Sequence, residues 1–218
     1  MKNLFKIAPE GYKIIFYSLL FFLVMYLISL NTNHIWIENI SMFTFFLFLC
    51  VCYFFRDPIR KIKSNKSDFL APADGTILSV KKYEDPEIGE STKISIFLSV
   101  LNVHRQWVPL NAKVLKTFYN PGTFFGAFMD KASDKNEQTS IYFSDNDNNI
   151  FRIKQIAGFV ARRIVNHMNP DSDVNQGENL GFIKFGSRVE IIVPSNFDIN
   201  VKKGMKVKGC KTVIGKFN

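Results

Sequence analysis

A chain of 218 residues with a formal net charge of +9 has room for one compact core and an anchor, and too little length for two full globular domains. The excess of 28 Lys and Arg over 19 Asp and Glu favours an anionic partner, nucleic acid or acidic lipid. Cys50 and Cys52 sit inside an apolar run and Cys210 stands alone near the end, which excludes a disulfide framework and a Cys-x-x-Cys metal site and suits a reducing, cytosol-facing domain.

Two uncharged stretches come first: 17 residues from Ile14 to Leu30 and 16 from Ile40 to Phe55, separated by Asn31, Thr32, Asn33 and His34. Each is near the lower limit for a membrane-crossing helix. The first lacks a small-residue cleavage site and the second follows at once, so the pair reads as a helical hairpin and not as a cleaved signal peptide. Two buried core helices are the alternative, but runs with no polar face are hard to bury in so small a protein. Lys2, Lys6 and Lys13 precede the hairpin, Arg56, Arg60, Lys61, Lys63 and Lys66 follow it, and the connecting loop has no Lys or Arg. The positive-inside rule therefore puts both ends in the cytoplasm.

Residues 1–55 are thus expected to form an anchor, with helices at about 14–30 and 40–55, and 56–68 a basic linker. In 69–218, the runs 76–80, 93–98, 150–156, 182–185 and 189–193 are short, rich in β-branched and aromatic residues, and bounded by Gly, Pro, Asn or Asp. They predict a β-dominated α+β domain. Phe124, Phe125, Phe128 and Met129 fall at helical spacing and predict one helix over 122–132, its apolar stripe facing the core. The tail 201–213 reads as short strands joined by Gly turns.

His34, His104 and His167 are too scattered to cluster on a metal, and neither a phosphate-binding GxxxxGK[ST] loop nor a GxGxxG turn is present. Taken singly, the remaining candidates are ordinary. Gly186-Ser187 suits a hairpin turn, Asp74 an Asp-Gly turn that bonds its own backbone, and His104 a structural histidine.

In combination they are not ordinary. Phe54-Phe-Arg-Asp-Pro-Ile-Arg60, Leu70-Ala-Pro-Ala-Asp-Gly75, Asn102-Val-His104, Gln155-Ile-Ala-Gly-Phe-Val-Ala-Arg-Arg-Ile-Val165 and Phe185-Gly-Ser-Arg-Val189 occur in the order seen in short-form phosphatidylserine decarboxylases. The resemblance spans the chain from the hairpin to the tail and is most specific in the last two motifs. Two departures stand out. Arg105-Gln106-Trp107-Val108-Pro109 follows His104 where the family pattern reads Val-Asn-Arg, and Asn136-Glu137-Gln138 stands where it reads Asn-Glu-Arg.

The resemblance implies that Ser187 attacks the Gly186 carbonyl, that the chain breaks between 186 and 187, and that position 187 becomes a covalent pyruvoyl group. That ketone would form a Schiff base with the serine amine of phosphatidylserine and release carbon dioxide, giving phosphatidylethanolamine with no separate cofactor and no metal. Chains 1–186 and 187–218 would stay associated at an inner membrane, with the catalytic domain on the cytoplasmic side. The partner would be phosphatidylserine and not nucleic acid, and homo-oligomerisation is left open. His104, aided by Asp74, is the candidate base for Ser187. Two rival readings are a membrane serine hydrolase using Ser187, His104 and Asp74, and a noncatalytic anchored β domain that binds lipid.

Overall fold

The structure is a computed structural model that describes residues 6–32, 34–127, 129, 132–158, 163–184 and 186–217. The chain divides into two compact units, Met1–Ile59 and Arg60–Asn218.

In the first unit a 3-10 turn at Pro9–Gly11 leads into helix α1 (Tyr12–Leu30), and a short break precedes α2 (Ile35–Phe54). At 19 and 20 residues these helices extend about 29 Å and 30 Å, the thickness of a bilayer's hydrocarbon core. Tyr17, Phe21, Leu27, Phe43 and Phe46 all lie in solvent, so the apolar residues are not gathered on one packed face. Both helices are long and apolar enough to cross a membrane. The second starts at Ile35 instead of Ile40: Glu38, which interrupts the apolar run, is accommodated in the helix's first turn, where a carboxylate suits the dipole.

The second unit is built almost wholly from strands: β1 (Phe69–Leu70), β2 (Gly75–Asp85), β3 (Gly89–Leu98), β4 (Arg105–Trp107), β5 (Ala112–Asn120), β6 (Gln138–Ser144), β7 (Ile150–Ala157), β8 (Ile164–Asn166), β9 (Asp173–Val174), β10 (Asn179–Ile183), β11 (Ser187–Pro194), β12 (Asp198–Ile199), β13 (Lys206–Val207) and β14 (Val213–Lys216). Eight of them form one sheet in the order β13-β2-β3-β11-β7-β6-β5-β9, and two three-stranded sheets, β1-β14-β12 and β4-β10-β8, complete the unit. Every strand pair is antiparallel. The β-dominated reading therefore holds: the runs 76–80, 93–98, 150–156 and 189–193 fall within β2, β3, β7 and β11, whereas the run 182–185 leaves β10 after Ile183, with Lys184 outside the strand.

Strand β11 lies in the middle of the large sheet. Its alternate residues Val189, Ile191 and Val193 point into the core with Ile94, Ile96 and Leu98 of β3 and Ile153 of β7. Burying each aliphatic side chain contributes roughly 1.5–3 kcal/mol. Phe69, Phe151, Phe197 and Phe217 close one part of this core through edge-on and tilted ring contacts with centroids 4.9–6.2 Å apart. Of the stretch expected as linker, Arg60 and Ile62 belong to this second unit. Ile62 packs on Val103, Trp107 and Cys210, and Arg60 stacks on the Trp107 ring.

The helix expected over 122–132 is not there. The described residues of 122–127 run without helical structure, and a single helical turn, α3, occupies Ala132–Lys135. Gly122 and Gly126 disfavour helix, and the backbone bonds outward. Thr123 N–H donates to the Lys135 carbonyl at 2.8 Å, and Phe125 N–H to Asn136 Oδ1 at 2.8 Å. Phe124 still packs against the core, as expected for the stripe, while Met129 is exposed and Phe128 lies outside the described residues.

Candidate active site

Ser187 is the first residue of β11, and its neighbours across the ladder are Leu98, the last residue of β3, and Ala157, the last of β7. Three strands therefore end or begin at one level. From Leu98 the chain leaves into the turn that carries His104, from Ala157 into Gly158 and the segment beyond it, and into Ser187 it arrives from Gly186. Ser187 is fully buried, and its Oγ has no hydrogen-bond partner among the described residues. A buried hydroxyl normally bonds to something, so an unsatisfied one costs about 1–3 kcal/mol.

Gly186 has φ +64°, the left-handed region that a side chain makes costly by roughly 1–2 kcal/mol. A Cβ there would meet nothing within 4 Å, so backbone angle and not space requires glycine. At Gly158 the reason is reversed. A Cβ built on Gly158 would lie 2.2 Å from the Gly186 carbonyl oxygen and 3.2 Å from Ala127 Cβ. The carbonyl next to Ser187 is thus seated directly on the backbone of Gly158.

The segment over this corner is tied down by polar side chains. Asn136 Nδ2 donates to the carbonyls of Phe125 and Ala157, both at 2.7 Å. On the opposite face of β11 from Ser187, Arg188 Nε donates to the Ala127 carbonyl at 2.7 Å and Nη2 to the Met129 carbonyl at 2.9 Å. Glu190 is fully buried beside it. One carboxylate oxygen accepts Ser133 Oγ at 2.5 Å and Ser95 Oγ at 3.3 Å, and Lys154 Nζ lies 3.8 Å from the other. Buried charges persist only when compensated in this way.

His104 is fully buried in the turn that follows β3, and its Nδ1 lies 3.0 Å from the Asn102 carbonyl. A carbonyl only accepts, so the neutral ring carries its hydrogen on Nδ1 and its basic lone pair on Nε2. The His104 carbonyl accepts Gln106 Nε2 at 2.5 Å, and Gln106 Oε1 accepts Gln155 Nε2 at 2.9 Å. Gln106, part of the departure from the family pattern, therefore supports the backbone of the histidine. Gln138, the other departure, is buried at the start of β6 opposite Ile156.

Asp74 is elsewhere occupied. Its carboxylate is clasped by Arg60 through both oxygens, at 2.5 and 2.7 Å, and accepts Gly209 N–H at 2.8 Å. It is hydrogen-bonded to neither His104 nor Ser187, so the four residues singled out from the sequence fall into two places. Ser187 and Gly186 lie at the strand end from which the chain runs on from Leu98 to His104, and Asp74 joins Arg60, Trp107 and Gly209. Cys210 lies beside that second group, where burial pushes its thiol up to about 12 and keeps it protonated. Among the described residues no group of His, Cys, Asp and Glu could hold a metal ion. Gly158 and Asn136 stood inside quoted motifs, but only the fold shows what they touch.

The model of the phosphatidylserine decarboxylase family matches residues 47–215. A phosphatidylserine decarboxylase proenzyme of Ehrlichia chaffeensis is 42% identical over 212 residues, covering 95% of this chain and 90% of its own. One from Rickettsia typhi is 37% identical over 221 residues, with 99% and 92% covered. One from Prosthecochloris aestuarii is 42% identical over 165 residues, with 75% and 76% covered.

The two glycines should respond differently to alanine. Gly158→Ala overpacks backbone against backbone and should lower stability by about 1–3 kcal/mol, whereas Gly186→Ala should cost only the left-handed angle, about 1–2 kcal/mol. Thermal unfolding of the two variants measures this. A Gly158→Ala protein as stable as the wild type would show that the carbonyl does not sit on Gly158.

Proposed function

The chain belongs to the phosphatidylserine decarboxylase family, and from that premise we propose that it is made as a proenzyme which cuts itself between Gly186 and Ser187 and then decarboxylates phosphatidylserine at that point. The observation that carries this reading is the buried, unbonded Ser187 hydroxyl, one peptide from a carbonyl held by a left-handed glycine against Gly158.

Cleavage balances without an outside reagent except water. Ser187 Oγ adds to the Gly186 carbonyl, the Ser187 nitrogen leaves as the amine, and the peptide becomes an ester. Loss of the Ser187 α-proton expels the Gly186 carboxylate, leaving dehydroalanine at 187. Its imine form takes up water and releases ammonia, so position 187 ends as a pyruvoyl ketone. When present, that group supplies an electron-withdrawing carbonyl that stabilises the charge left by a departing carboxylate. The site fits it: position 187 is buried, fixed by strand pairing on both sides, and has a free hydroxyl to convert.

The protein's own residues have two tasks. One is to move protons at Ser187, for which His104 is the candidate: it lies six residues beyond Leu98, the β3 partner of Ser187, with Nε2 as its basic atom. Asp74 is held by Arg60, which stacks on Trp107, and by the Gly209 N–H. The other task is to keep the two chains together. Residues 187–218 contribute β11 between β3 and β7, β13 against β2, and β14 against β1, all partners on the 1–186 side. The two apolar helices would hold the enzyme at the membrane that contains its substrate, with both termini and the catalytic unit on the cytoplasmic side, as the Lys/Arg asymmetry directs.

Self-cleavage should yield a chain of residues 187–218 that resists Edman sequencing and is one ammonia lighter than the same peptide with an N-terminal serine. Ser187→Ala should stay intact and inactive. An active wild-type protein that mass spectrometry finds uncut would overturn the proposal. Folded His104→Ala should mature about 10²–10⁴-fold more slowly, the usual worth of a general base, followed as loss of precursor with time. Maturation at the wild-type rate would remove His104 from that role. For orientation, a cysteine at position 34 (His34→Cys, with Cys50 and Cys52 replaced) should react with an impermeant label from outside intact cells. Labelling only after lysis would reverse the assignment.

A further inference from the structure

Among the described residues of the second unit, the large hydrophobic side chains left in solvent are Val100, Leu101, Leu115, Phe118, Tyr119 and Met129. Leu115 apart, they share one end of the eight-stranded sheet, and it is the end where Ser187 lies. Val100 and Leu101 form the turn just past Leu98, which pairs with Ser187. Phe118 and Tyr119 close β5 opposite Ser140 and Thr139, and the adjoining Gln138 pairs with Ile156, next to Ala157. Met129 is held through its carbonyl by Arg188.

Charge divides along the same axis. Lys184 and Arg163, joined by a backbone hydrogen bond of 3.2 Å, lie just before Gly186, Arg105 directly follows His104, and Lys135 is exposed beside Thr123. At the far end the turns carry exposed Glu84, Glu87, Asp147, Asp171 and Asp173, of which Glu87 and Asp171 are paired with Lys116 and Lys113. The end bearing Ser187 is apolar and basic, whereas at the opposite end the acids are interspersed with exposed Lys66 and Lys82.

The Val100–Leu101 turn is also braced. Asn102 Oδ1 accepts both the N–H and the Oγ–H of Ser99 at 2.9 Å, and the Asn102 carbonyl faces His104 Nδ1. The exposed tip is therefore built onto the residue that holds the imidazole.

We propose that this end of the sheet is the surface by which the catalytic unit docks on an anionic bilayer, with Val100 and Leu101 entering the acyl-chain boundary and the basic residues lying among the headgroups. Exposed apolar side chains accompanied by cations are what an interfacial surface requires. The proposal rests on the reading of a lipid substrate. A lipid would pass from the bilayer to Ser187 without crossing water.

The test uses the full chain in vesicles. Leu101→Cys, Phe118→Cys and Asp147→Cys, each with Cys50 and Cys52 changed to Ser, are labelled with a fluorophore and exposed to quenchers fixed on the lipid tails. Labels at 101 and 118 should be quenched, more strongly in equal parts phosphatidylcholine and phosphatidylglycerol than in phosphatidylcholine alone, and the label at 147 should not. Equal quenching at all three sites, or none at 101 and 118 because the face meets a protein instead, would overturn the proposal. A second arm uses Val100→Asp with Leu101→Asp. Maturation should be unchanged, and turnover of phosphatidylserine in bilayers should fall roughly tenfold to hundredfold, the scale set by two aliphatic side chains leaving an apolar phase. Turnover of a water-soluble short-chain phosphatidylserine should stay within about twofold. Equal loss on both substrates, or loss on neither, would also overturn docking. Should wild-type protein act on neither substrate, the proposed function fails, and the quenching arm still decides the surface.

Discussion

One register holds the site together: Leu98, Ser187 and Ala157 lie side by side across β3, β11 and β7. Strand pairing places all three chain exits at one level, so the His104 turn, the Gly158 corner and the Gly186 peptide converge there and nowhere else. A shift by one residue would turn Ser187 to the outer face, where Arg188 now lies, and bring the guanidinium into the apolar core. Val189, Ile191 and Val193 forbid this shift, because the same slip would move each of them out of the core. The hydrophobic pattern of β11 therefore acts on the chemistry: it decides which way residue 187 points.

Around that register the polar groups have a division of labour that charge counts alone do not suggest. Asp74 and Arg60 form a nearly buried pair that ties the start of the second unit to Gly209 near its end, with Trp107 stacked on the guanidinium. Arg188 donates to the carbonyls of Ala127 and Met129, Lys154 to that of Ser133, and Glu190 accepts the Ser133 hydroxyl. Both groups are enclosed, and losing one partner would strand a buried charge at a cost of about 3–5 kcal/mol. Only the second group reaches the Gly186 corner, because Arg188 holds Ala127, whose Cβ lies beside Gly158.

In the proposed function, the placement of Ser187 lets one sheet end serve two needs. A hydroxyl proposed to reach a neighbouring carbonyl is best kept dry, and Ser187 is fully buried between β3 and β7. A substrate that belongs to a bilayer needs an approach that is apolar and cationic, and the turns that leave the same strand ends are the natural place for those residues. Asn102 belongs to both, bracing the exposed turn with its side chain and meeting the imidazole with its carbonyl.

Much of this molecule was legible in the sequence. Two uncharged runs announced apolar helices, alternating β-branched runs announced the strands, and the ordered motifs announced the family, because each depends on local composition or on spacing along the chain. Other features came from tertiary structure alone. The Phe stripe at 124–129 has helical spacing, yet two glycines and the side chains of Asn136 and Arg188 claim its backbone for another path. Asp74 looked like a partner for His104, and Arg60, an apparent linker cation, holds it instead. Gly158 has no local signature at all. Its role is a contact between peptides 28 residues apart in sequence, brought within 2.2 Å of a missing methyl by strand pairing. Local sequence determines what each segment becomes, and only the packing of segments against one another determines which side chains and carbonyls meet.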